Sequence, residues 1–260
     1  MNEFLWVEKY RPRKVVDTIL PDEMKGTFQQ FVDQDNVPNL LLTGRAGVGK
    51  TTIAKAMLEE IGADYIVING SMNGNIDTLR IEIANFASTV SFSGGRKYVI
   101  LDEADYLNAN STQPALRNFM EEFSNNCGFI LTCNFKNRII EPLHSRCSVI
   151  DFNIPNSEKA SIAGQFFKRV CGILDQENVE YDKQAVASMV QTHFPDWRRV
   201  LNELQRYSAT GSIDAGVLTN HSSDNIAKLM QLMKNKNFTD MRKWVANNTD
   251  IDSTNLYRQL

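Results

Sequence analysis

The sequence of 260 residues is poor in the side chains that build metal sites and disulfide frameworks, with only four cysteines and three histidines. Its cysteines form no C-x-x-C pair and lie beside no histidine-rich segment, so the usual spacings of a zinc site are missing. We therefore predict no zinc site, and reduced cysteines that mostly fill the core of an intracellular protein. These cysteines are Cys127, Cys133, Cys147 and Cys171.

Long hydrophobic runs and an excess of basic residues are also missing. No apolar run approaches the length of a membrane-spanning helix, and residues 1–6 have neither the basic start nor the long apolar core of a signal peptide. We therefore predict a cytoplasmic protein. The net charge of −3 argues against a generally basic nucleic-acid binder, so a contact with DNA would need a local surface.

A glycine-rich loop follows the apolar run at residues 40–42, and segment 44–51 fits the pattern G-x-x-x-x-G-K-[ST] of the phosphate-binding P-loop. A helical pattern follows and ends at Gly62. Because glycines carry no Cβ, backbone N–H groups can turn toward a polyphosphate, and the helix N-terminus adds positive potential. Lys50 would contact the β- and γ-phosphates and Thr51 would bind Mg²⁺; the alternative is a tight turn with a chance lysine. The predicted nucleotide-binding residues of this loop are Gly44, Arg45, Ala46, Gly47, Val48, Gly49, Lys50, Thr51 and Thr52.

Two carboxylates end the apolar run at residues 98–101, downstream of the P-loop. This is the Walker B arrangement, in which Asp102 would hold Mg²⁺, through water, and Glu103 would polarise the attacking water. The alternative is a strand that simply ends in an acidic turn. An Asp-Glu pair favours hydrolysis over transfer to a bound acceptor.

Five apolar segments of strand length are separated by helical patterns, with connections too long for hairpins. This alternation predicts a parallel α/β sheet, with the P-loop, Asp102, Glu103 and Asn134 at the carboxyl ends of its strands. From Asn156 onward the pattern predicts helices and no strand. The predicted strands are 40–42, 65–69, 98–101, 128–132 and 148–152, and the later helices lie near 157–176, 183–192, 196–209, 223–235 and 238–247.

Other short motifs accompany the P-loop and the acidic strand end: residues 6–12 (WVEKYRP), 101–105 (LDEAD), 131–134 (LTCN), 145–147 (SRC) and 196–202 (DWRRVLN). In order and spacing, they resemble the motifs of the AAA+ ATPases, and within them the small subunits of sliding-clamp loaders. The chain is most similar to the loaders of T4-type phages, and more distantly similar to the small subunits of replication factor C.

The resemblance implies a P-loop AAA+ fold in three domains. Residues 1–154 would form the nucleotide-binding α/β domain, a parallel five-stranded sheet with helices on both faces. Residues 155–211 would form a helical lid, and residues 212–260 the start of a helical collar. Because similar proteins continue beyond Leu260, the resemblance implies that this collar is incomplete.

The resemblance also assigns roles to residues outside the P-loop. Asn134 matches the sensor-1 position, and Arg198 matches the sensor-2 arginine that reaches from the lid to the nucleotide. Arg146 matches the arginine finger, which acts on ATP held by the neighbouring subunit; a surface arginine in a turn is the alternative. Composition alone predicts a polar N-terminal arm, whereas the resemblance places part of it in the adenine pocket. These adenine-pocket residues are Tyr10, Arg11 and Pro12.

Contacts with DNA are implied at the helix that carries Arg80, where similar subunits follow the template-strand backbone without reading its sequence. The alternative for Arg80 is a solvated helix face. Segment 72–75 departs from the family pattern because it has no lysine. Gln113 and Arg117 match positions that couple DNA binding to the ATP site. The other predicted DNA-binding residues are Ser71, Asn75 and Ile76.

Together, the motifs and the resemblance predict an ATP-hydrolysing clamp-loader subunit that uses ATP and Mg²⁺. ATP would drive clamp opening and the binding of primer-template DNA, and DNA-triggered hydrolysis would release the clamp. The implied partners are the sliding clamp, a dissimilar large subunit, further copies of this chain, and primer-template DNA. We expect exposed apolar side chains around Tyr106 and Leu107, with local core packing as the alternative.

Three other functions stay open. A helicase loader or branch-migration motor would need its own DNA-binding module or pore loops, and the sequence has no sign of either. A non-hydrolysing scaffold subunit would predict a damaged P-loop or a missing Glu103. A small-molecule kinase would need an acceptor pocket and a basic lid, and the Asp102–Glu103 pair and the SRC segment argue against it.

Overall fold

A five-stranded parallel sheet forms the centre of the computed structural model, which describes residues 4–72, 76–91, 94–209, 211–213 and 223–247. Its strands are β1 (Leu40–Thr43), β2 (Tyr65–Asn69), β3 (Lys97–Asp102), β4 (Cys127–Cys133) and β5 (Ser148–Asp151). They lie in the order β2–β3–β4–β1–β5, and every neighbouring pair is parallel. The predicted parallel sheet is confirmed, with each strand within one residue of its predicted bounds.

Strand β1 lies between β4 and β5, although both follow it by more than eighty residues in the sequence. Leu41 of β1 is in register with Leu131 on one side and with Val149 on the other. In the same register, the carboxyl end of β1 at Thr43 lies beside Cys133. The loop that follows β1 and the residue that follows β4 are therefore neighbours at one edge of the sheet.

Helices cover both faces of the sheet. They are α2 (Asp22–Asp33), α3 (Lys50–Glu60), α4 (Ile76–Ser88), α5 (Thr112–Glu122) and α6 (Glu141–His144), with short 3-10 turns at Val15–Asp17, Ala104–Tyr106 and Lys136–Arg138. The first helix, α1 (Trp6–Lys9), instead packs against the helices that follow the sheet. Leu41 packs in the apolar cluster that contains α4 and α5, whereas Leu40 and Leu42 pack in the cluster that contains α2 and α3. Since alternate β1 side chains are buried on opposite faces, this strand reads as a continuous apolar run.

The chain after the sheet is mainly helical. Its helices are α7 (Lys159–Gln176), α8 (Lys183–His193), α9 (Trp197–Ser208), α10 (Ser223–Lys234) and α11 (Phe238–Asn247). The expectation of no strand after Asn156 is wrong, because β6 (Glu180–Tyr181) pairs with β7 (Ser212–Ile213) in parallel. Two-residue strands show no periodicity, and tertiary packing brings these two together. Among the described helices, none is long and apolar enough to cross a membrane.

The N-terminal segment packs onto the helices α7 to α9. Trp6 is buried in their apolar cluster, its backbone N–H donates to Gln205 Oε1 at 3.0 Å, and the Gln205 amide donates to Phe4 O at 2.7 Å. The polar arm that composition predicts is therefore wrong for this segment. The reason is that one buried tryptophan has no local periodicity that reveals its burial.

Cys127 and Cys133 are core residues, and Cys147 packs against the same apolar cluster. All four cysteines are free, with Cys127 and Cys133 buried and Cys147 and Cys171 partly buried. Burial raises the pKa of the Cys127 thiol to about 11 and that of Cys147 to about 12. A thiol with a raised pKa is a poor nucleophile, which agrees with the predicted core-filling role.

Candidate nucleotide site

A cavity lies at the carboxyl ends of the strands, between the P-loop, the N-terminal segment and helices α7 and α9. It brings together residues that are distant in the sequence but that the sequence predicts for one site. Gly44 and Arg45 are predicted for this site but do not line the cavity. The predicted residues that line it are Tyr10, Arg11, Pro12, Ala46, Gly47, Val48, Gly49, Lys50, Thr51, Thr52, Asp102, Glu103, Asn134 and Arg198.

The N-terminus of α3 is open toward this cavity. Gly49 occupies the N-cap position with φ 100°, and it has no side chain with which to cap the helix. The first helical hydrogen bond runs from Ile53 N–H to Gly49 O at 2.9 Å. The N–H groups of the first turn have no intrahelical acceptor, and the helix dipole is positive there, so this end suits an anion such as phosphate.

Lys50 is a buried cation at the cavity wall, and the residue as a whole is 7% exposed. Its ammonium donates to Gly44 O and Arg45 O at 2.8 Å and to Asn134 Oδ1 at 2.9 Å. Burial lowers the pKa of this ammonium, although nearby acidic groups partly offset that effect. All three acceptors are neutral, so a bound polyphosphate would supply the negative charge that favours the ammonium form.

Asp102 receives two hydroxyl hydrogen bonds on one oxygen. Thr51 Oγ1 donates to Asp102 Oδ1 at 2.7 Å, and Thr132 Oγ1 donates to the same atom at 2.6 Å. Among the described residues, no group of three or more His, Cys, Asp and Glu side chains could hold a metal ion. Mg²⁺ prefers oxygen ligands and is usually bound by one or two protein groups, waters and substrate phosphates. Thr51 and Asp102 therefore fit a magnesium ion that is bound together with a nucleotide.

Glu103 has an unusual backbone conformation at the end of β3. Its φ of 56° and ψ of 44° lie in the left-handed region, which costs a non-glycine residue roughly 1–2 kcal/mol. Glu103 N–H donates to Thr132 Oγ1 at 3.1 Å, and Glu103 O accepts from Tyr106 N–H at 3.0 Å. Gly70 passes close by, since a Cβ at that position would lie 2.6 Å from Glu103 O. These contacts hold the backbone of the strained turn, and Glu103 lines the cavity.

The lid contacts the P-loop directly at Gly47. Trp197 N–H of α9 donates to Gly47 O at 3.1 Å, and a Cβ on Gly47 would lie 1.8 Å from Asp196 Oδ1. Gly47 also has φ 76°, so both its conformation and this close approach require glycine. Asp196 caps α9 by accepting from Arg199 N–H at 3.0 Å. This contact places Arg198, in the first turn of α9, at the cavity.

The N-terminal segment connects the sheet to the lid along the other wall. The Tyr10 hydroxyl donates to Glu177 Oε1 at 2.5 Å, and the Arg169 guanidinium of α7 donates to Asp17 O at 2.6 Å and to Tyr10 O at 3.2 Å. Arg11 forms an ion pair with Glu8. These contacts fix the N-terminal segment to α7 at this wall of the cavity.

Much of the cavity wall consists of residues that the sequence did not predict for the site. Phe166 and Trp197 stack with their ring centroids 4.2 Å apart, and both line the cavity. Trp197 lies next to Arg198 in the DWRRVLN motif, so proximity could have identified it. The residues of α7 that line the cavity lie in no recognised motif, so the sequence did not identify them. The missed lining residues are Val7, Thr18, Ile19, Leu20, Thr132, Cys133, Phe166, Arg169, Ile173, Trp197 and Leu201.

Two family models match the chain. Residues 40–154 match the ATPase family associated with various cellular activities (AAA), and residues 158–219 match the AAA+ ATPase lid domain of the sliding-clamp-loader large subunit. The sliding-clamp-loader large subunit of Escherichia phage RB69 is 39% identical over 246 residues, which cover 93% of this chain and 77% of that protein. The chain belongs to the sliding-clamp-loader family of AAA+ ATPases.

Further relatives come from a phage and an archaeon. The sliding-clamp-loader large subunit of Enterobacteria phage T4 is 38% identical over 246 residues, covering 93% of this chain and 77% of that protein. The replication factor C small subunit of Archaeoglobus fulgidus is 34% identical over 253 residues, with the same coverage. The two phage relatives are named large subunits, whereas the archaeal relative is named a small subunit. The comparisons therefore support the clamp-loader family but do not assign this chain to the large or the small subunit.

Solved structures agree with the AAA+ fold of this clamp-loader family member. Two mutants of Thermotoga maritima RuvB superpose with TM-scores of 0.61 and 0.63, at 13% and 16% sequence identity. The superpositions cover 87% of this chain and 80% and 81% of the RuvB chains. At such low identity, the likeness concerns the fold alone.

Arg146 of this family member lies outside the cavity of its own chain. Its guanidinium forms an ion pair with Glu121 of α5, its Nε donates to Glu121 Oε1 at 3.0 Å, and its Nη1 donates to Pro142 O at 2.9 Å. The hydrogen bond from Arg146 lowers the pKa of the Glu121 carboxyl. Because the Arg146 side chain is 29% exposed and Glu121 is more exposed, another anion at this surface could compete for the guanidinium.

The predicted DNA-binding residues of the clamp-loader chain lie near the carboxyl end of β2 and along α4. Arg80 is exposed on α4. Ser71 is exposed, and its N–H and hydroxyl donate to Asn69 Oδ1 at 2.8 and 2.7 Å. Ile76 begins α4, whereas its side chain and all of Asn75 lie outside the described residues. None of the described members of this group lines the nucleotide cavity.

Helix α5 carries the residues predicted to couple the two sites. Gln113 is buried, donates to Leu107 O and Arg138 O at 3.0 Å, and accepts from Ile140 N–H at 2.9 Å. Arg117 is exposed on the same helix. The expectation of exposed apolar residues is met by Tyr106, which is 55% exposed, but is wrong for Leu107, which is 3% exposed. Leu107 packs in the core cluster of α4 and α5.

Gly70→Ala tests the strained turn of this ATPase-family site. We expect the added methyl group to displace the Glu103 backbone and to lower ATP hydrolysis about ten- to hundredfold, because small misplacements of catalytic groups have effects of this size. Phosphate release under saturating ATP measures the rate. Gly95→Ala is the matched control, since its Cβ would meet no atom within 4 Å. An unchanged rate in Gly70→Ala would mean that this contact does not place Glu103.

Proposed function

We propose that the chain is an ATP-hydrolysing subunit of a sliding-clamp loader that acts during DNA replication. The observation that carries the proposal is the division of the site. Lys50, Glu103 and Arg198 surround one cavity, whereas Arg146 lies outside it, in a partly exposed ion pair with Glu121. Such a division suits a site that is completed by a neighbouring subunit.

ATP would bind with its triphosphate on the P-loop and its base between the N-terminal segment and the lid. The open N-terminus of α3 and buried Lys50 support the first placement. The stacked pair of Phe166 and Trp197, beside residues 10–12, supports the second. In this proposal residues 1–154 form the nucleotide-binding domain, residues 155–211 the lid, and residues 212–260 belong to the collar.

Hydrolysis would take place by attack of water on the γ-phosphate, with cleavage of the bond to the β–γ bridging oxygen and departure of ADP. Glu103 would accept the proton of this water, and Asn134 and Arg198 would contact the γ-phosphate region. Thr51 and Asp102 would hold Mg²⁺, which neutralises charge on the β- and γ-phosphate oxygens. Lys50 would stabilise the negative charge that moves toward the leaving group.

Arg146 would act on ATP that is bound by the neighbouring copy. A guanidinium remains charged and can bridge two phosphate oxygens, which suits an arginine finger. In the isolated chain Glu121 holds this group. Assembly would therefore exchange a carboxylate partner for a phosphate partner.

DNA would contact the surface formed by Arg80, Ser71, Asn75 and Ile76. Exposed Arg80 and the start of α4 suit contacts with phosphate, which carry no sequence information. Gln113 and Arg117 would connect this surface to the ATP site through α5. The proposed partners are the sliding clamp, a dissimilar loader subunit, further copies of this chain and primer-template DNA, all in the cytoplasm.

The function is tested by ATP hydrolysis with purified components. We expect slow phosphate release from the chain alone, and an increase of at least about a thousandfold when partner subunits, clamp and primer-template DNA are all present, because a trans arginine typically contributes 10³–10⁵. Omission of each component in turn is the control. Full activity from the isolated chain, without response to DNA or clamp, would contradict the proposal. A complete mixture that binds ATP without hydrolysing it would favour the scaffold function.

A further inference from the structure

Asp105 is a buried carboxylate for which the site described above has no role. It lies in the 3-10 turn Ala104–Tyr106, two residues after Glu103, and is 5% exposed. It does not line the nucleotide cavity; it borders a separate crevice together with Leu107, Ala109, Asn137, Arg138, Ile139 and Ile140. A direct contact with the nucleotide is therefore not its function.

The carboxylate of Asp105 binds the backbone that follows β4. Its Oδ2 accepts from Asn134 N–H at 3.3 Å and from Phe135 N–H at 3.2 Å. Asn134 in turn accepts from Lys50 through its side-chain oxygen. One continuous set of contacts therefore leads from the turn that contains Glu103, through Asp105 and Asn134, to the ammonium of the P-loop.

This arrangement is costly for a residue that only fills space. The second oxygen of Asp105, Oδ1, is buried and has no hydrogen-bond partner in the part of the chain that the structure describes. Burial of a carboxylate with an unpaired oxygen is unfavourable. The two backbone N–H groups, by contrast, gain a charged acceptor, to which a hydrogen bond is stronger than to a neutral one.

We propose that Asp105 is a positioning residue for ATP hydrolysis. It holds the Asn134–Phe135 backbone so that the Asn134 amide meets Lys50 at the cavity, in fixed relation to Glu103. The proposal rests on the hydrolytic function proposed above. It predicts that Asp105 acts on the rate through Asn134, and that it has little influence on ATP binding.

A double-mutant cycle tests this with Asp105→Ala, Asn134→Ala and the double variant. Single-turnover phosphate release gives the rate constant, and a fluorescent ATP analogue gives the Kd. We expect Asp105→Ala to lower the rate about tenfold in the Asn134 background and less than about twofold in the Asn134→Ala background, since residues that act as a unit are non-additive. We expect the Kd to change less than about twofold. Equal losses in both backgrounds would overturn the proposal.

Two variants separate positioning from general destabilisation. Asp105→Asn keeps an acceptor oxygen and removes the charge, so the rate should fall only about threefold, and only when Asn134 is present. If Asp105→Ala does not fold, the double-mutant cycle with Asp105→Asn tests the proposal in its place. Tyr98→Phe is the matched control, because it removes a buried hydroxyl from β3, the strand that precedes Asp105, at a position away from the site. This hydroxyl accepts from Val37 N–H at 3.2 Å. Tyr98→Phe should lower Tm without lowering the rate.

The Asp105 proposal and the clamp-loader function fail in different ways. Basal hydrolysis by the isolated chain is sufficient for the cycle, so coupling between Asp105 and Asn134 can be measured without clamp or DNA. Hydrogen exchange at the Asn134 and Phe135 amides adds a readout that needs no hydrolysis, and it should speed up in Asp105→Ala. Unchanged exchange at both amides would overturn the proposal, whereas wild-type hydrolysis that ignores clamp and DNA would contradict only the clamp-loader function.

Discussion

Glu103→Gln stops ATP hydrolysis and leaves ATP binding intact: we expect phosphate release from the assembled loader to fall by at least about a hundredfold, which is the low end of the usual contribution of a general base. Glutamine has the same shape as glutamate, so the left-handed turn and the contact with Gly70 are kept, but its amide cannot accept a proton from water. Rapid-quench phosphate release measures the rate. Binding of a fluorescent ATP analogue should change less than about threefold.

The matched control for this change is Glu23→Gln. Glu23 is exposed in the first turn of α2 and does not line the cavity, so the same chemical change there should leave the rate as it is. If Glu103→Gln hydrolyses ATP at a rate near that of the wild type, then Glu103 is not the base. A parallel loss of ATP binding would instead mean that Glu103 supports the cavity.

Arg146→Ala leaves each subunit able to bind ATP and removes the stimulation of hydrolysis by DNA and clamp. We expect the stimulated rate to fall by about a thousandfold, the lower limit of what an arginine finger contributes, while the basal rate of the isolated chain stays unchanged. Arg146→Lys should rescue little, because an ammonium cannot bridge two phosphate oxygens as a guanidinium does. Phosphate release with and without DNA measures both rates.

Two variants show whether Arg146 acts on the neighbouring site or only supports its own fold. Glu121→Gln weakens the ion pair of Arg146 within the chain. It would therefore lower the stimulated rate of hydrolysis as Arg146→Ala does only if Arg146 acted through this ion pair. Arg206→Ala removes another exposed, ion-paired arginine and should have no effect on the rate. If Glu121→Gln and Arg146→Ala lose activity equally, the interface mechanism is wrong.

Mixed assemblies give a second test of the same mechanism. A loader made only of Lys50→Ala subunits lacks functional P-loops, and one made only of Arg146→Ala subunits lacks fingers. Where an Arg146→Ala subunit holds ATP next to a Lys50→Ala subunit, the interface has both an intact P-loop and an intact finger. We therefore expect the mixture to recover hydrolysis that neither variant has alone. No recovery would mean that Arg146 does not act between subunits.

Local sequence was sufficient for the sheet and the phosphate site because the features that mark them are themselves local. Each strand of a sheet that is buried on both faces reads as a short apolar run, as residues 40–42 do. The P-loop needs glycines at neighbouring positions and a lysine at the start of α3. The two carboxylates directly follow β3. Neighbours along the chain therefore encode these features.

Tertiary structure alone decided the features that depend on residues far apart in the chain. Trp6, which composition places in a polar arm, is buried because it packs against α7 and α9. The pairing of β6 with β7 likewise joins segments that are far apart in the chain. The order of the strands brings Asn134 beside Lys50 and Asp105 beside Asn134. Leu107 is buried for the same reason. Such contacts join segments that are far apart in the chain and leave no local sequence pattern. Which of these residues are buried, and which strands pair, is therefore decided by the packing of the sheet and the lid.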